Sequence, residues 1–574
     1  MKLPNFAPPF ALLFGCCAAV AAAQPNIVIR PQKSGEEKFD EARFLVIRPN
    51  GKPPSLSGPA LATPTLPAKT TLPAGALQVP PPGAPKLDAD VAFDYWFAAA
   101  VDGQRIGYVQ WGAKATKKNG RDLLVGVKYQ KFTVSRFGER VGQWAEESSV
   151  ESPTGAVFLT GMRQGIGHNQ ALVLNGTVEG KTLKVTGEGA AKGASDTPWP
   201  EGVVGCVREP ALFKEKQLKP GESFDYPSYI GVINRVVKMT VALEAEETAT
   251  LWAKEPARKL LRYVSKMEPV GTFKLPPATT WVDAETFEPL KMEFDFPGFG
   301  GKVTFLRTTR EAATADVTRP VELFNAQSIR LDREIPGIHS RKSAVYKVSA
   351  PKDDDAGTLF PADGRQVVKN LDAQAKTFEL SVSASHGPVR GVAAQPAPGA
   401  EFTASNYFIN WDNGGVKAHA AAATRGLPAA TTDWDKAVAV ERWVNRNMKA
   451  FEFSQAMATA DNVAKTLSGD CTEYAMLSAA MCRAVGVPAR TVLGLVYAPA
   501  KDGKPYLAYH MWFEVFAEGQ WLPLDATLGM GGVGPGHLKI ADHSWHDEKT
   551  FAPLLPVLRV LSAKPAVKVM AVEP

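Results

Sequence analysis

A cysteine, a histidine and an aspartate stand in the order Cys471, His510, Asp525, and each has neighbours that suit one part of a single reaction. A thiol nucleophile, a base to activate it and a carboxylate to orient the base are what acyl transfer through a thioester requires.

The elements that must position these groups can be read locally. Gly469-Asp470-Cys471 leads into a stretch rich in Ala, Leu and Met that ends before Gly486 and Pro488. That pattern predicts a helix with Asp470 as N-cap and a stop at Gly486. A thiol in the first turn feels the positive end of the helix dipole, which favours thiolate over thiol. The backbone N–H of Cys471 lacks an intrahelical acceptor, so it can be one donor to a developing oxyanion; no second donor is evident in the sequence. Residues 506–517 and 520–527 read as two strands joined by a tight turn at Glu518-Gly519. Pairing Ala517 with Gln520 puts Trp512 opposite Asp525 and places His510 on the same face, diagonal to Asp525. Diagonal neighbours lie roughly 7–8 Å apart, close enough for a carboxylate to reach an imidazole.

The segment 434–529 resembles the core of the transglutaminase-like superfamily, relatives of papain-like cysteine acyl-transfer enzymes, in its bacterial exported type. The matching pieces are Glu441-Arg442-Trp443-Val444, Gly469-Asp470-Cys471-Thr472-Glu473-Tyr474 and Cys482-Arg483-Ala484-Val485-Gly486-Val487-Pro488-Ala489-Arg490. His510-Met511-Trp512-Phe513-Glu514-Val515 and Trp521-Leu522-Pro523-Leu524-Asp525-Ala526-Thr527 follow in the family's order. The resemblance implies Cys471 as nucleophile, His510 as base and Asp525 as orienting acid. Taken singly, a helical Cys is usually a small buried hydrophobe, a strand His a satisfied structural residue and an Asp a turn or cap residue. The combination in family order reverses that reading.

The expected activity is that of a cysteine protease, amidase or transglutaminase, acting on a peptide or protein amide through a Cys471 thioester. Water as acceptor makes it a hydrolase, and a primary amine makes it a cross-linker. Trp512 is the residue named to border the substrate, with Trp443 and Trp521 as further cleft candidates, although core packing is the expected role of at least two of the three. The alternatives are a catalytically inert scaffold that keeps the fold, or a lipid- or glycan-binding envelope protein whose activity lies in residues 91–312. No cofactor is expected. His537, His543 and His546, with Asp542 and Asp547, have the composition of metal ligands, but no motif fixes a site and no metal is expected.

A chain of 574 residues is too long for one core. The net charge of +6 comes without a Lys/Arg run, so nucleic acid is not an expected partner. Lys2, the apolar residues 11–23 and Ala21-Ala22-Ala23 before Gln24 read as a signal peptide over 1–23, giving an exported protein of the periplasm or cell envelope, with envelope components as candidate partners. Leu13-Phe14-Gly15-Cys16 departs from a lipoprotein box at the bulky Phe14, so a soluble form is expected over one anchored at Cys16. No later run is long enough to span a bilayer. Beyond the leader only Cys206, Cys471 and Cys482 remain. Cys471 and Cys482 lie on one helix about 16 Å apart, too far to bridge; so few cysteines suit a bacterial periplasm better than a disulfide scaffold, with a Cys206–Cys482 bridge as the less expected alternative and Cys471 required free.

Residues 24–90 are a Pro-rich flexible linker, as in Val79-Pro80-Pro81-Pro82-Gly83. Residues 91–312 alternate through strand after strand, with hairpin signals at Asp102-Gly103 and Asn119-Gly120, and predict an antiparallel β-rich sheet or half-barrel with a short helix over 210–216. Residues 313–400 form a small β module whose Phe378, Leu380 and Val382 share a face. Asp353-Asp354-Asp355 lacks the ligand spacing of a calcium loop and reads as a solvated turn. Residues 401–574 form an α+β, papain-like unit, and its glycine-rich 529–536 reads as a loop beside the thiol site. The fold class is therefore multidomain, β-rich first and transglutaminase-like last.

Overall fold

The computed structural model describes residues 77–83, 88–136, 139–166, 170–188, 193–296, 299–323, 328–391, 393–448, 450–451, 457–499, 505–546 and 552–574. The leader over 1–23, Cys16 and most of the Pro-rich segment lie outside them.

Positive-φ turn residues set the strand pairing. Asp102-Gly103 (φ 46° and 80°), Asn119-Gly120 (51° and 77°) and Glu518-Gly519 (51° and 75°) each place two left-handed residues in a row. That is the backbone of a two-residue hairpin turn whose twist matches the strands it joins. The first two turns belong to a fourteen-stranded antiparallel sheet running from Val91 to Thr308. Its first strand, Val91–Val101, pairs with its last, Lys302–Thr308, so two meanders meet in the middle and end at the edges Gly193–Pro198 and Ser223–Ile230. Alternate residues face an apolar interior in which Phe132 stacks on Phe305 (6.2 Å) and Trp111 donates its ring N–H to Cys206 O (2.9 Å). The short helix is Ala211–Lys216.

Two further sheets are woven from distant parts of the chain. Gln366–Asp372, Thr377–Ser383, Ser343–Ser349 and the C-terminal Ala566–Glu573 make one, with Phe378, Leu380 and Val382 buried on a common face. The other consists of Ser328–Arg330, Tyr506–Ala517, Ala489–Ala498 and His537–His543, with Gln520–Leu524 added beside Tyr506–Ala517. The small module thus takes its edge strand from the chain terminus and lends Ser328–Arg330 to the sheet that carries His510. Helices Gly414–Ala423, Asp433–Asn447 and Ala460–Thr466 surround the helix Cys471–Ala484, which is buried from Cys471 to Arg483.

Two expectations are corrected here. The strand after Glu518-Gly519 stops at Leu524, because the Asp525 side chain and carbonyl bond the following turn instead of the ladder. Asp353 is not a solvated turn residue: it accepts Arg559 Nη2 (2.7 Å) and Nε (2.9 Å) and ties down the C-terminal helix Leu555–Ala563. Cys206, Cys471 and Cys482 are all free and buried, and no Cys206–Cys482 bridge forms. Among the described residues no helix is long and apolar enough to cross a membrane.

Candidate functional site: a thiol, two imidazoles and one carboxylate

Cys471 is the first residue of its helix, and the preceding turn is held by a capping box. Asp470 accepts from Thr472 N–H (2.9 Å), while Glu473 accepts from Asp470 N–H (2.9 Å) and Ala458 N–H (2.9 Å). Burial and the neighbouring Asp470 charge push the Glu473 carboxyl up to about 8. Cys471 is 8% exposed, and at the first helical position its N–H has no intrahelical acceptor. At the other end Arg483 donates to Ala489 O (2.8 and 3.0 Å), Ala404 O (2.8 Å) and Ser544 O (2.9 Å), fixing the helix against three segments.

His510 lies opposite Gly494 in the ladder and is largely buried. Its Nε2 meets Asp525 Oδ2 at 2.8 Å and Thr527 Oγ1 at 3.4 Å, and the ring lines the same small cavity as Cys471. With Nε2 given to the carboxylate, Nδ1 is the nitrogen left for sulfur. Burial opposes a charged ring, but Asp525 and Cys471 outweigh it and hold His510 up at about 10. For Asp525, burial favours the neutral acid, and the two imidazoles overcome it to hold the carboxyl well below the usual range.

The turn that presents Asp525 is supported from both sides. Thr527 donates to Asp525 Oδ1 through its N–H (2.9 Å) and its hydroxyl (2.6 Å). From the helix Asp433–Asn447, Glu441 accepts from Gly531 N–H (2.9 Å) and Asp525 N–H (3.3 Å), and Asn445 Nδ2 donates to Ala526 O (2.9 Å). Burial raises the Glu441 carboxyl to about 7 against those amide donors.

His537 also reaches Asp525, with Nε2 at 2.9 Å from Oδ2. Sequence reading grouped it with His543 and His546 as ligand-type residues, but on an extended strand six positions separate His537 from His543 by roughly 20 Å. His543 instead accepts from Trp545 N–H (2.8 Å). The only advance signal was the alternation of His537-Leu538-Lys539-Ile540; pairing of that strand with Ala489–Ala498 is what brings the ring to Asp525. His510, Asp525 and His537 offer ligand atoms within 4.8 Å of one another, at spacings their hydrogen bonds already explain. In the glycine-rich 529–536, residues 532–536 are packed, with Ser385 and Val533 bridging and a Cβ on Gly534 set to meet His339 O at 2.3 Å, while Met530 is exposed.

Trp512 is 1% exposed and lies behind the imidazoles, parallel to His510 (6.2 Å) and edge-on to His537 (5.2 Å). Gly494 makes room for it, since a Cβ there would meet the Trp512 ring at 2.4 Å and Leu538 O at 2.2 Å. None of the three Trp residues borders the cavity beside Cys471. Trp443 packs on His419 (4.7 Å), and Trp521 lies under Arg490 (4.0 Å). The cavity beside Cys471 measures about 40 Å³ and is bordered by Met457, Leu493, Tyr509, Met511, Leu554 and Val557. The last two belong to the C-terminal helix and the turn leading into it, which therefore cover the thiol.

Residues 419–526 match the family model of the transglutaminase-like superfamily core, and this segment contains Cys471, His510 and Asp525. No curated protein matches the chain. Among solved structures, it is similar to a presumptive cysteine protease of Cytophaga hutchinsonii (14% identity, TM-score 0.25, covering 41% of this chain and 85% of that one). A β-barrel-like protein of Brucella abortus, from a domain of unknown function, aligns at 8% identity and TM-score 0.27 over 38% of this chain and 95% of that one. The periplasmic domain of TgpA from Pseudomonas aeruginosa, bound to ethylmercury, aligns at 16% identity and TM-score 0.23 over 35% and 83%.

Proposed function

We propose that this chain, with its transglutaminase-like core, is a cysteine-dependent amide hydrolase or acyl transferase working through a thioester on Cys471. The observation that carries the reading is the His510 imidazole, held by Asp525 through Nε2 and lining one cavity with the Cys471 thiol. Asp525 and the neighbouring Cys471 sulfur favour a charged ring, so His510 is placed to take the thiol proton as the nucleophile forms.

In the first step the thiolate adds to the amide carbonyl carbon, and the carbonyl oxygen takes the electron pair beside the Cys471 N–H. Collapse expels the amine, which takes its proton from His510 and leaves a thioester. Neutral His510 then accepts a proton from water as its oxygen attacks the thioester; an acid departs, and the thiolate and imidazolium are restored. A primary amine in place of water forms a new amide. Hydrolysis is the favoured outcome in a wet cell envelope. Catalysis is assigned to the unit 401–574, with 91–312 and 313–400 in support, and export is proposed from the leader-like residues 1–23.

A second reading, an inert scaffold, is favoured by one observation: the cavity over Cys471 has room for about one water. Mass spectrometry of amide-bearing peptides incubated with the chain, with and without a primary amine, separates these readings. Hydrolysis exchanges amine for water, transfer adds the supplied amine, and Cys471→Ser should abolish both. Equal products from wild type and Cys471→Ser, or a Cys471 that never acylates, would leave the scaffold.

A further inference from the structure

Two imidazoles converge on one carboxylate oxygen, and the reaction proposed above uses only one of them. His537 has no exposed surface, stands opposite Val496 in the ladder and is edge-on to Trp512. Arg365 Nη1 holds its backbone carbonyl at 2.9 Å. Its Nε2 meets Asp525 Oδ2, and its Nδ1 is buried with no hydrogen-bond partner. A proton on Nδ1 would have nothing to donate to, so the ring has one stable form: neutral, with its proton on Nε2 aimed at the carboxylate. The titratable groups that act on it are Asp525, His510 and His339, and burial drives it down to about 4.

The Asp525 carboxylate is thereby gripped at both ends, by Thr527 on Oδ1 and by His537 on Oδ2. We infer that His537 is a positioning residue: its Nε2–H stops the Asp525 carboxylate from rotating, so that the carboxylate holds His510 with Nδ1 toward Cys471. The inference rests on the thiol-enzyme reading. It adds a fourth residue, twelve positions past Asp525, to the machinery that sets the reactivity of the thiol. Thr527 alone leaves Oδ2 bonded only to the ring it must orient, whereas a neutral second donor fixes that oxygen without competing for the positive charge.

The experiment labels the full chain with iodoacetamide from about pH 5.5 to 9.5 and reads Cys471 by peptide mass spectrometry. Wild type, His510→Ala, His537→Gln and His537→Asn are compared after thermal unfolding shows each to be folded. Glutamine places its amide nitrogen where Nε2 stood; asparagine places it where Nδ1 stood and cannot reach Asp525. His537→Gln should label like wild type, while His537→Asn should slow by roughly tenfold or more near neutral pH, with its profile moved toward that of an ordinary thiol. Equal rates for all three His537 forms, or equal losses in Gln and Asn, would overturn the inference and leave a packing role. A wild-type rate indifferent to His510→Ala overturns the thiol-enzyme reading itself, and this inference with it. If His537→Asn does not fold, ¹⁵N-histidine NMR of the wild type decides. The His537 ring should keep one protonated and one bare nitrogen from pH 5.5 to 9, and titration near 6.5 would overturn the proposal.

Discussion

Asp525 accepts from two rings through one oxygen, and the rings respond in opposite directions because their surroundings differ. His510 has the neighbouring Cys471 sulfur as well and rises to about 10; His537 has only burial and one donor role, and falls to about 4. For His510 the folded value exceeds the ordinary 6.5, so the stability it adds is complete below about pH 6.5 and lost as pH rises toward 10. Amide turnover should therefore persist through neutral pH and decline near pH 10, where the leaving amine loses its proton source; a kcat/KM profile checks this. For His537 the folded value is depressed, so its contribution is present above about pH 6.5 and lost as pH falls toward 4. The gap corresponds to roughly 3 kcal/mol. Denaturant titrations of wild type and His537→Gln should show the wild-type advantage at pH 7.5 shrinking by about that amount at pH 4.

At the scale of elements, the site depends on close contacts between strands and on a helix that closes it. Gly494→Ala would drive a methyl into Leu538 O and the Trp512 ring. Overpacking of this kind costs about 1–3 kcal/mol, so the midpoint of chemical unfolding should drop and His510-dependent labelling of Cys471 should weaken with it. The C-terminal helix covers Cys471 through Leu554 and Val557 and is held from the far side by Arg559 on Asp353. Arg559→Ala removes that anchor and should speed alkylation of Cys471 several-fold while leaving its dependence on His510 intact. An unchanged rate would mean the cover is held by packing alone.

For the molecule as a whole, the fourteen-stranded sheet packs its described residues around aromatic side chains. Its interior is filled by rings such as Phe132, Phe305, Tyr263 and Trp111. The cavity bordered by Lys128, Glu147, Cys206 and Glu209 measures about 30 Å³, room for one water and not for an acyl chain or glycan. Lys128 and Glu209 form a buried ion pair there, and burial raises the Cys206 thiol to about 12. With Cys206 and Cys482 unpaired, reductant should leave the unfolding temperature unchanged, and a thiol titration in denaturant of the chain lacking residues 1–23 should find all three cysteines without reduction.

Local physics made part of this legible in advance. Cys471 on a capped helix, the turns at Asp102-Gly103, Asn119-Gly120 and Glu518-Gly519, and the pairing of Ala517 with Gln520 depend on residues a few positions apart, where capping, positive φ and alternation leave marks in the sequence. The sequence alone determined the order of the chemical groups and the elements presenting them. Only the tertiary structure decided that His537 shares Asp525, that Glu441 and Asn445 support its turn, that Trp512 is buried behind the rings and that the C-terminal helix covers the thiol. It also decided that Ala566–Glu573 closes a sheet begun at Ser343–Ser349. Such contacts join segments that local propensity treats as independent, and the pairing of strands far apart in the chain is set by which buried faces fit, not by any short pattern.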